Sequence, residues 1–119
     1  MVVGDSTTAC QSIVSQLKGL GCEVIVANNG YEALSMVLQQ SVDVIFSDVM
    51  MPTLDGYKTC FILKQQPSFK KIIFVALSES DSPFSHDKAE LMGVDYVLSK
   101  SFSPTDLKDL LQQIKQGIA

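Results

Sequence analysis

The chain has 119 residues, 46% of them hydrophobic and 18% charged, with a formal net charge of −4. That is enough for one domain with a sizeable core and too little for two. An acidic chain without a basic run is not built for nucleic acid or an anionic membrane surface, and no apolar run nears the ~20 residues that span a bilayer.

Residues 1–5 read as the tail of a strand. Ser6, Thr7 and Thr8 can cap a helix in which Cys10, Ile13, Val14, Leu17 and Leu20 recur at helical spacing up to Gly21. Residues 22–27 read as a second strand. Asn28–Asn29–Gly30 is a turn and a cap for a helix with Ala33, Leu34, Val37 and Leu38 as its expected buried face. A β-branched, apolar third strand follows over 42–47 and ends at a carboxylate, Asp48.

After Gly56 a third helix carries Tyr57, Cys60, Phe61, Leu63 and Lys64, and Pro67 prevents its continuation. Residues 71–77 form the most apolar strand, and the lack of alternation predicts burial on both faces. A polar loop over 78–85 leads to a short helix around 88–92 that ends at Gly93. Residues 95–99 read as the fifth strand. Ser103 caps a last helix with Pro104 at its first position and Leu107, Leu110, Leu111 and Ile114 as its apolar stripe. Five strands alternating with five helices over short connections predict an α/β fold, a (βα)5 doubly wound parallel five-stranded sheet with helices on both faces. Residues 1–119 are expected to be one domain.

The opening of the sequence has no charged n-region followed by an apolar h-region. Cys10, Cys22 and Cys60 are an odd number without CxxC spacing, which favours buried thiols over disulfides or zinc. The expected compartment is the reducing cytoplasm.

In an open parallel sheet, ligands bind beyond the carboxyl ends of the strands. The loops after strands one, three, four and five begin with Asp5, Asp48, Ser78 and Lys100. Two carboxylates can hold a hard cation such as Mg²⁺. Asp48 could then attack a phosphoryl donor, with the Lys100 ammonium and Ser78 hydroxyl neutralising the transferred oxygens.

These residues, with the loop Asp48-x-x-Met51-Pro52-x-x-Asp55-Gly56, the pair Leu77–Ser78 and Lys100-x-Phe102, resemble the receiver domains of two-component response regulators over essentially the whole chain. The match is to the small, stand-alone CheY-like type. The phosphorylation loop and following helix look most like PilG-type regulators of type IV pilus twitching motility. The resemblance implies the strand order 2-1-3-4-5. It implies Asp48 as phospho-acceptor, and Asp5, Asp48 and the backbone carbonyl of Met50 as Mg²⁺ ligands. Ser78 and Lys100 would contact the phosphoryl group. The implied partners are a sensor histidine kinase or phosphotransfer protein, and a downstream protein on the helix 4–strand 5–helix 5 face. Such a module signals and is not an enzyme beyond Mg²⁺-assisted self-phosphorylation and dephosphorylation.

The sequence departs from the receiver pattern in places. Receivers carry two adjacent acids after strand one, and here Gly4 replaces the first, which should weaken cation binding. Ser101 stands where the family has proline after the lysine. The family's switch aromatic falls at Val97, with Tyr96 on the opposite side of the strand. Glu79 adds negative charge beside the site. Strand one has only residues 1–4 before Asp5, so the sheet is expected to be weakest there.

Simpler roles stand beside these. Asp48 could be a strand-end turn acid, and Asp5 only an N-cap. Ser78 could merely begin a loop, and Lys100 be solvated. His86 has no partner at ligand spacing, and Met50, Met51 and Met92 suit packing. The departures motivate an alternative function, a degenerate receiver that binds proteins independently of phosphorylation. A haloacid-dehalogenase-like phosphatase would need a second Asp at position 50, which is Met, and a flavin or phosphate loop would need a glycine that residues 5–8 lack.

Overall fold

A computed structural model describes residues 1–4, 8–48, 56–78, 90–99 and 102–118. The strands are β1 (Val2–Val3), β2 (Val26–Ala27), β3 (Val44–Asp48), β4 (Ile73–Ser78) and β5 (Tyr96–Ser99). The helices are α1 (Thr8–Gly19), α2 (Gly30–Val37), α3 (Gly56–Lys64), a closing turn at 90–92 that we label α4, and α5 (Pro104–Ile118). The strands pair in parallel in the order β2-β1-β3-β4-β5. This is the expected order, with β1 near the centre.

Alternation along the strands divides the core into two layers. Val2, Phe46, Val75, Leu77 and Leu98 meet Cys10, Ile13 and Leu17 of α1 and Leu107, Leu110 and Ile114 of α5. On the other face Val3, Ile45 and Phe74 meet Ala33 and Val37 of α2 and Cys60 and Leu63 of α3. Residues 74–77 are buried without a break, because helices cover both faces of β4.

The caps follow the sequence. Asn29 Oδ1 accepts from Glu32 N at 2.9 Å and opens α2. Ser103 and Asp106 make a reciprocal capping box for α5, Asp106 N donating to Ser103 Oγ at 3.1 Å and Ser103 N to Asp106 Oδ2 at 2.9 Å. Two expectations need correction. Leu38 is 74% exposed rather than buried. The buried stripe of α2 runs through Gly30, Ala33 and Val37, and the helix ends before Leu38 can turn inward. The second strand is also shorter than residues 22–27, with ladder pairing confined to Val26 and Ala27, because β1, which it pairs with, is itself two residues long.

The amino-terminal end of the sheet is cross-tied. Lys64 Nζ donates to Ile72 O at 2.7 Å, to Lys70 O at 3.3 Å and to Asp95 Oδ2 at 2.8 Å. Asp95 Oδ2 also accepts from Phe74 N at 2.8 Å, so α3, β4 and β5 converge on one ion pair. Gly93, at φ +90°, lets the chain pass the Lys64 stem, for a Cβ there would lie 3.1 Å from Lys64 Cγ. The Met1 ammonium donates to Val44 O at 2.8 Å in the same layer. Burial lowers its pKa from 8.0 to about 6, against the opposing pull of the Asp43 carboxylate.

Candidate functional site

Register brings the carboxyl ends of the central strands together. Val3 lies opposite Ser47, so Gly4 and Asp48 are the next residues on adjacent strands. Asp48 pairs with Leu77, which places Ser78 one residue further along the neighbouring strand, and Ser78 pairs with Ser99. The structure therefore gathers Gly4, Asp48 and Ser78 at one edge, and Ser99 immediately precedes Lys100 in sequence. Asp5, Met50, Glu79, His86, Lys100 and Ser101 lie outside the described residues.

Asp48 is only 4% exposed, a carboxylate taken into the end of the core. Burying a charge is costly unless the site compensates it, and such placements cluster where proteins do chemistry. Ser47 and Thr59 are the other buried polar residues among those described. Ser47 Oγ is committed locally, donating to Asp48 O at 3.0 Å. Ser78 is half-buried at its strand end.

Gly4 forms the near wall. Its N–H donates to Ala27 O at 3.0 Å, continuing the β1–β2 pairing. A Cβ at this position would lie 3.0 Å from Cys10 Sγ, 3.2 Å from Asp48 Cβ and 3.6 Å from Asp48 Oδ2. The backbone at φ +155° also disfavours a side chain. A side chain at residue 4 would therefore need Cys10 or Asp48 to give by a few tenths of an ångström. A carboxylate is the hard oxygen donor that Mg²⁺ prefers, and residue 4 adds no second acid beside it. Among the described residues no group of three or more His, Cys, Asp or Glu side chains forms a metal cluster.

Val97 and Tyr96 take opposite sides of β5. Tyr96 packs against the α1–α5 layer, whereas Val97, opposite Ala76, is 40% exposed. An aromatic at 97 would face the other layer, so Tyr96 does not substitute for it. Sequence reasoning read Cys10 only as a buried thiol. Its place against Gly4 and Asp48 had no signal in the sequence, since three separate segments create it. No disulfide links the cysteines; Cys10 and Cys60 are buried and Cys22 is half-buried. Burial pushes the Cys60 thiol up to about 12 despite the lowering influence of Lys64.

A doubly wound five-stranded parallel sheet with a buried acid at the carboxyl end of its central third strand defines a CheY-like α/β domain. The chain belongs to the response regulator receiver domain family, whose model matches residues 1–112. It is 39% identical over 107 residues to Protein PilG of Pseudomonas aeruginosa, covering 90% of this chain and 79% of PilG. Other curated relatives are longer, and the chain spans 51% and 46% of two probable transcriptional regulators, ycf29 of Pyropia yezoensis and ycf27 of Cyanidium caldarium.

Among solved structures it is similar to the chemotaxis response regulator CheY4 of Vibrio cholerae, at 30% identity and TM-score 0.82, with 95% of each chain covered. It also shares the fold of the receiver domain of a Pseudomonas aeruginosa sensor histidine kinase, which has a magnesium ion coordinated in its active-site cleft. That likeness has 23% identity and TM-score 0.81, with 94% of this chain and 93% of that one covered. The chain is therefore a two-component signalling module rather than a conventional enzyme. No helix among the described residues is long and apolar enough to cross a membrane.

Proposed function

We propose that the protein accepts a phosphoryl group on Asp48 and signals by phosphorylation-dependent protein binding. The observation that carries this reading is the burial of Asp48 at the carboxyl end of β3, in a chain whose match to the receiver family runs nearly end to end. A carboxylate oxygen of Asp48 attacks the phosphorus of a phosphohistidine on a kinase or phosphotransfer protein. The P–N bond breaks and the imidazole leaves with the electron pair, which a proton then neutralises.

In this reading Asp5, Asp48 and the Met50 carbonyl hold Mg²⁺, which when bound supplies charge neutralisation at the acceptor. Ser78 donates a hydrogen bond to a phosphoryl oxygen, and Lys100 pairs with the new charge. The 39% identity to PilG supports placing the protein in type IV pilus, twitching-motility signalling, with the α4–β5–α5 face as its output surface and the cytoplasm as its compartment. Mg²⁺-dependent labelling by acetyl phosphate tests the core of the proposal. Wild type should incorporate close to one phosphate per chain and Asp48→Asn none. Equal labelling of the two proteins removes the proposal.

A second reading, a receiver-shaped binding module that no longer uses phosphorylation, is favoured by the departures at Gly4, Val97 and Ser101. It predicts no Mg²⁺-induced NMR shifts at millimolar metal, and the same partner affinity in wild type and Asp48→Asn. Shifts confined to Asp5, Asp48, Ser78, Lys100 and β5 on adding Mg²⁺ and beryllofluoride would decide for the first reading.

A further inference from the structure

Residues 56–72 hold four of the chain's nine basic residues, Lys58, Lys64, Lys70 and Lys71, and none of its 13 acidic ones. In a chain of net charge −4 this stretch is a local reversal of sign. Its helix, α3, is also less polar on the outside than a solvated face should be. Lys58, Phe61, Ile62 and Gln65 recur there at helical spacing, and Phe61 and Ile62 are 44% and 40% exposed.

The chain returns beside α3 at the end of α4, where Leu91 is 80% exposed and Met92 half-buried. Phe61 and Pro67 from the α3 side and Leu91 and Met92 from the α4 side line an open groove of about 440 Å³. Lys64 belongs to the same lining, and its ammonium is held by Asp95 at 2.8 Å and by the carbonyls of Ile72 and Lys70, so the groove has a fixed base. Exposed Lys70 stands at the rim, and Glu90 lies outside the lining. Apolar side chains scattered singly over a surface are ordinary. Here they are gathered around a concavity beside uncancelled positive charge, which is how a docking site is made.

We infer that this groove docks an acidic, amphipathic segment of a partner protein, which places an apolar side chain between Phe61 and Leu91 and turns carboxylates toward Lys70. The concave shape receives a side chain, as grooves that bind amphipathic helices do, and the local charge selects an acidic one. An anionic lipid surface and a second copy of the chain would both be repelled by the net charge of −4. None of the lining residues comes from β5 or α5, and the groove lies at the opposite end of the sheet from Asp48. It therefore adds a binding surface that stays available whether or not Asp48 is phosphorylated.

The test titrates isotope-labelled protein with a synthetic amphipathic peptide carrying Leu and Phe one helical turn apart and Glu at its polar positions. A copy with Gln for every Glu is the comparison. The Glu peptide should give saturable amide shifts at Lys64, Gln65, Lys70, Met92 and Gly93, with the Asp48 amide unmoved. The Gln peptide should bind about fivefold more weakly, and the difference should shrink as NaCl rises. Leu91→Gln should weaken binding of the Glu peptide roughly tenfold and Lys70→Glu about fivefold, while Asp48→Asn should bind like wild type. The absence of saturable shifts, equal binding of the two peptides, shifts centred on β5 and α5, or wild-type binding by Leu91→Gln each overturns the inference.

Leu91 is so exposed that its substitution should leave the urea midpoint unchanged. If Leu91→Gln does not fold, Phe61→Gln takes its place with the same expectation. Wild type should neither sediment with phosphatidylcholine–phosphatidylglycerol vesicles nor dimerise in analytical ultracentrifugation. Vesicle binding or dimerisation that Leu91→Gln abolishes would assign the groove to lipid or to a second copy, and would overturn the acidic partner.

Discussion

The two ends of the sheet are built by different means. At the amino-terminal end the ammonium of Lys64 reaches two carbonyls and Asp95, Asp95 also accepts from Phe74 N, and the Met1 amine donates to Val44 O. Polar groups there are spent on holding α3, β3, β4 and β5 in place. At the carboxyl-terminal end the described groups are a glycine where a side chain would crowd its neighbours, a buried acid and a half-buried serine. A buried carboxylate costs stability unless its surroundings compensate it. The separation lets one end hold the domain together while the other gathers the residues of the candidate site.

Breaking the tied end should therefore lower stability without touching the acceptor. Lys64→Met removes one partner of a partly buried pair, with side chains 16% and 32% exposed. The expected cost is roughly 2 kcal/mol, below the fully buried range because water screens the pair. Urea denaturation measures this, and acetyl phosphate labelling of the folded fraction should stay at the wild-type rate. A loss of labelling without a loss of stability would show that the two ends are not independent.

The Met1 amine gives the tied end a pH signature in the 119-residue chain. Its folded pKa of about 6 is lower than the unfolded 8.0, so between these values the unfolded state binds more protons and stability rises with pH. Below about pH 6 both states are protonated and the penalty of burying the cation is fully present. Above pH 8 it is gone. The expected span is on the order of 2 kcal/mol. Amino-terminal acetylation removes the charge, and the difference between the two stability–pH curves should flatten to nothing above pH 8.

The smallest effect concerns the thiols. Cys60, buried beneath α3 with its thiol pushed up to about 12, should resist iodoacetamide at pH 8. Half-buried Cys22 should react first. Mass spectrometry of partially alkylated native protein reads the order. Early modification of Cys60 would mean that the layer between α3 and the sheet opens readily.

Much of this was legible before any coordinates. Alternating strand and helix periods, the Asn29 and Ser103 caps and the stop at Gly93 are local signals, because hydrogen bonds within a turn need only nearby residues. The lack of alternation over 71–77 announced a strand covered on both faces. Leu38 misled for an equally physical reason. Its spacing from Leu34 is helical, but burial depends on where the helix leaves the sheet, and α2 stops one residue short. The acid at position 48 was visible as a strand-end carboxylate, and its burial follows from the helices that flank it.

The sequence by itself determined the order of elements, their caps, the family and the candidate acceptor, since each is encoded in short-range spacing or in a motif. Only the tertiary structure decided what surrounds that candidate. Gly4, Cys10 and Asp48 come from β1, α1 and β3, and their closeness is a product of sheet register and helix docking. Lys64 and Asp95, 31 residues apart, meet for the same reason. Distances between segments are fixed by packing, and no spacing along the chain records them. The glycine that the sequence shows only as a missing acid is also a tight position, where a Cβ would crowd Cys10 and Asp48.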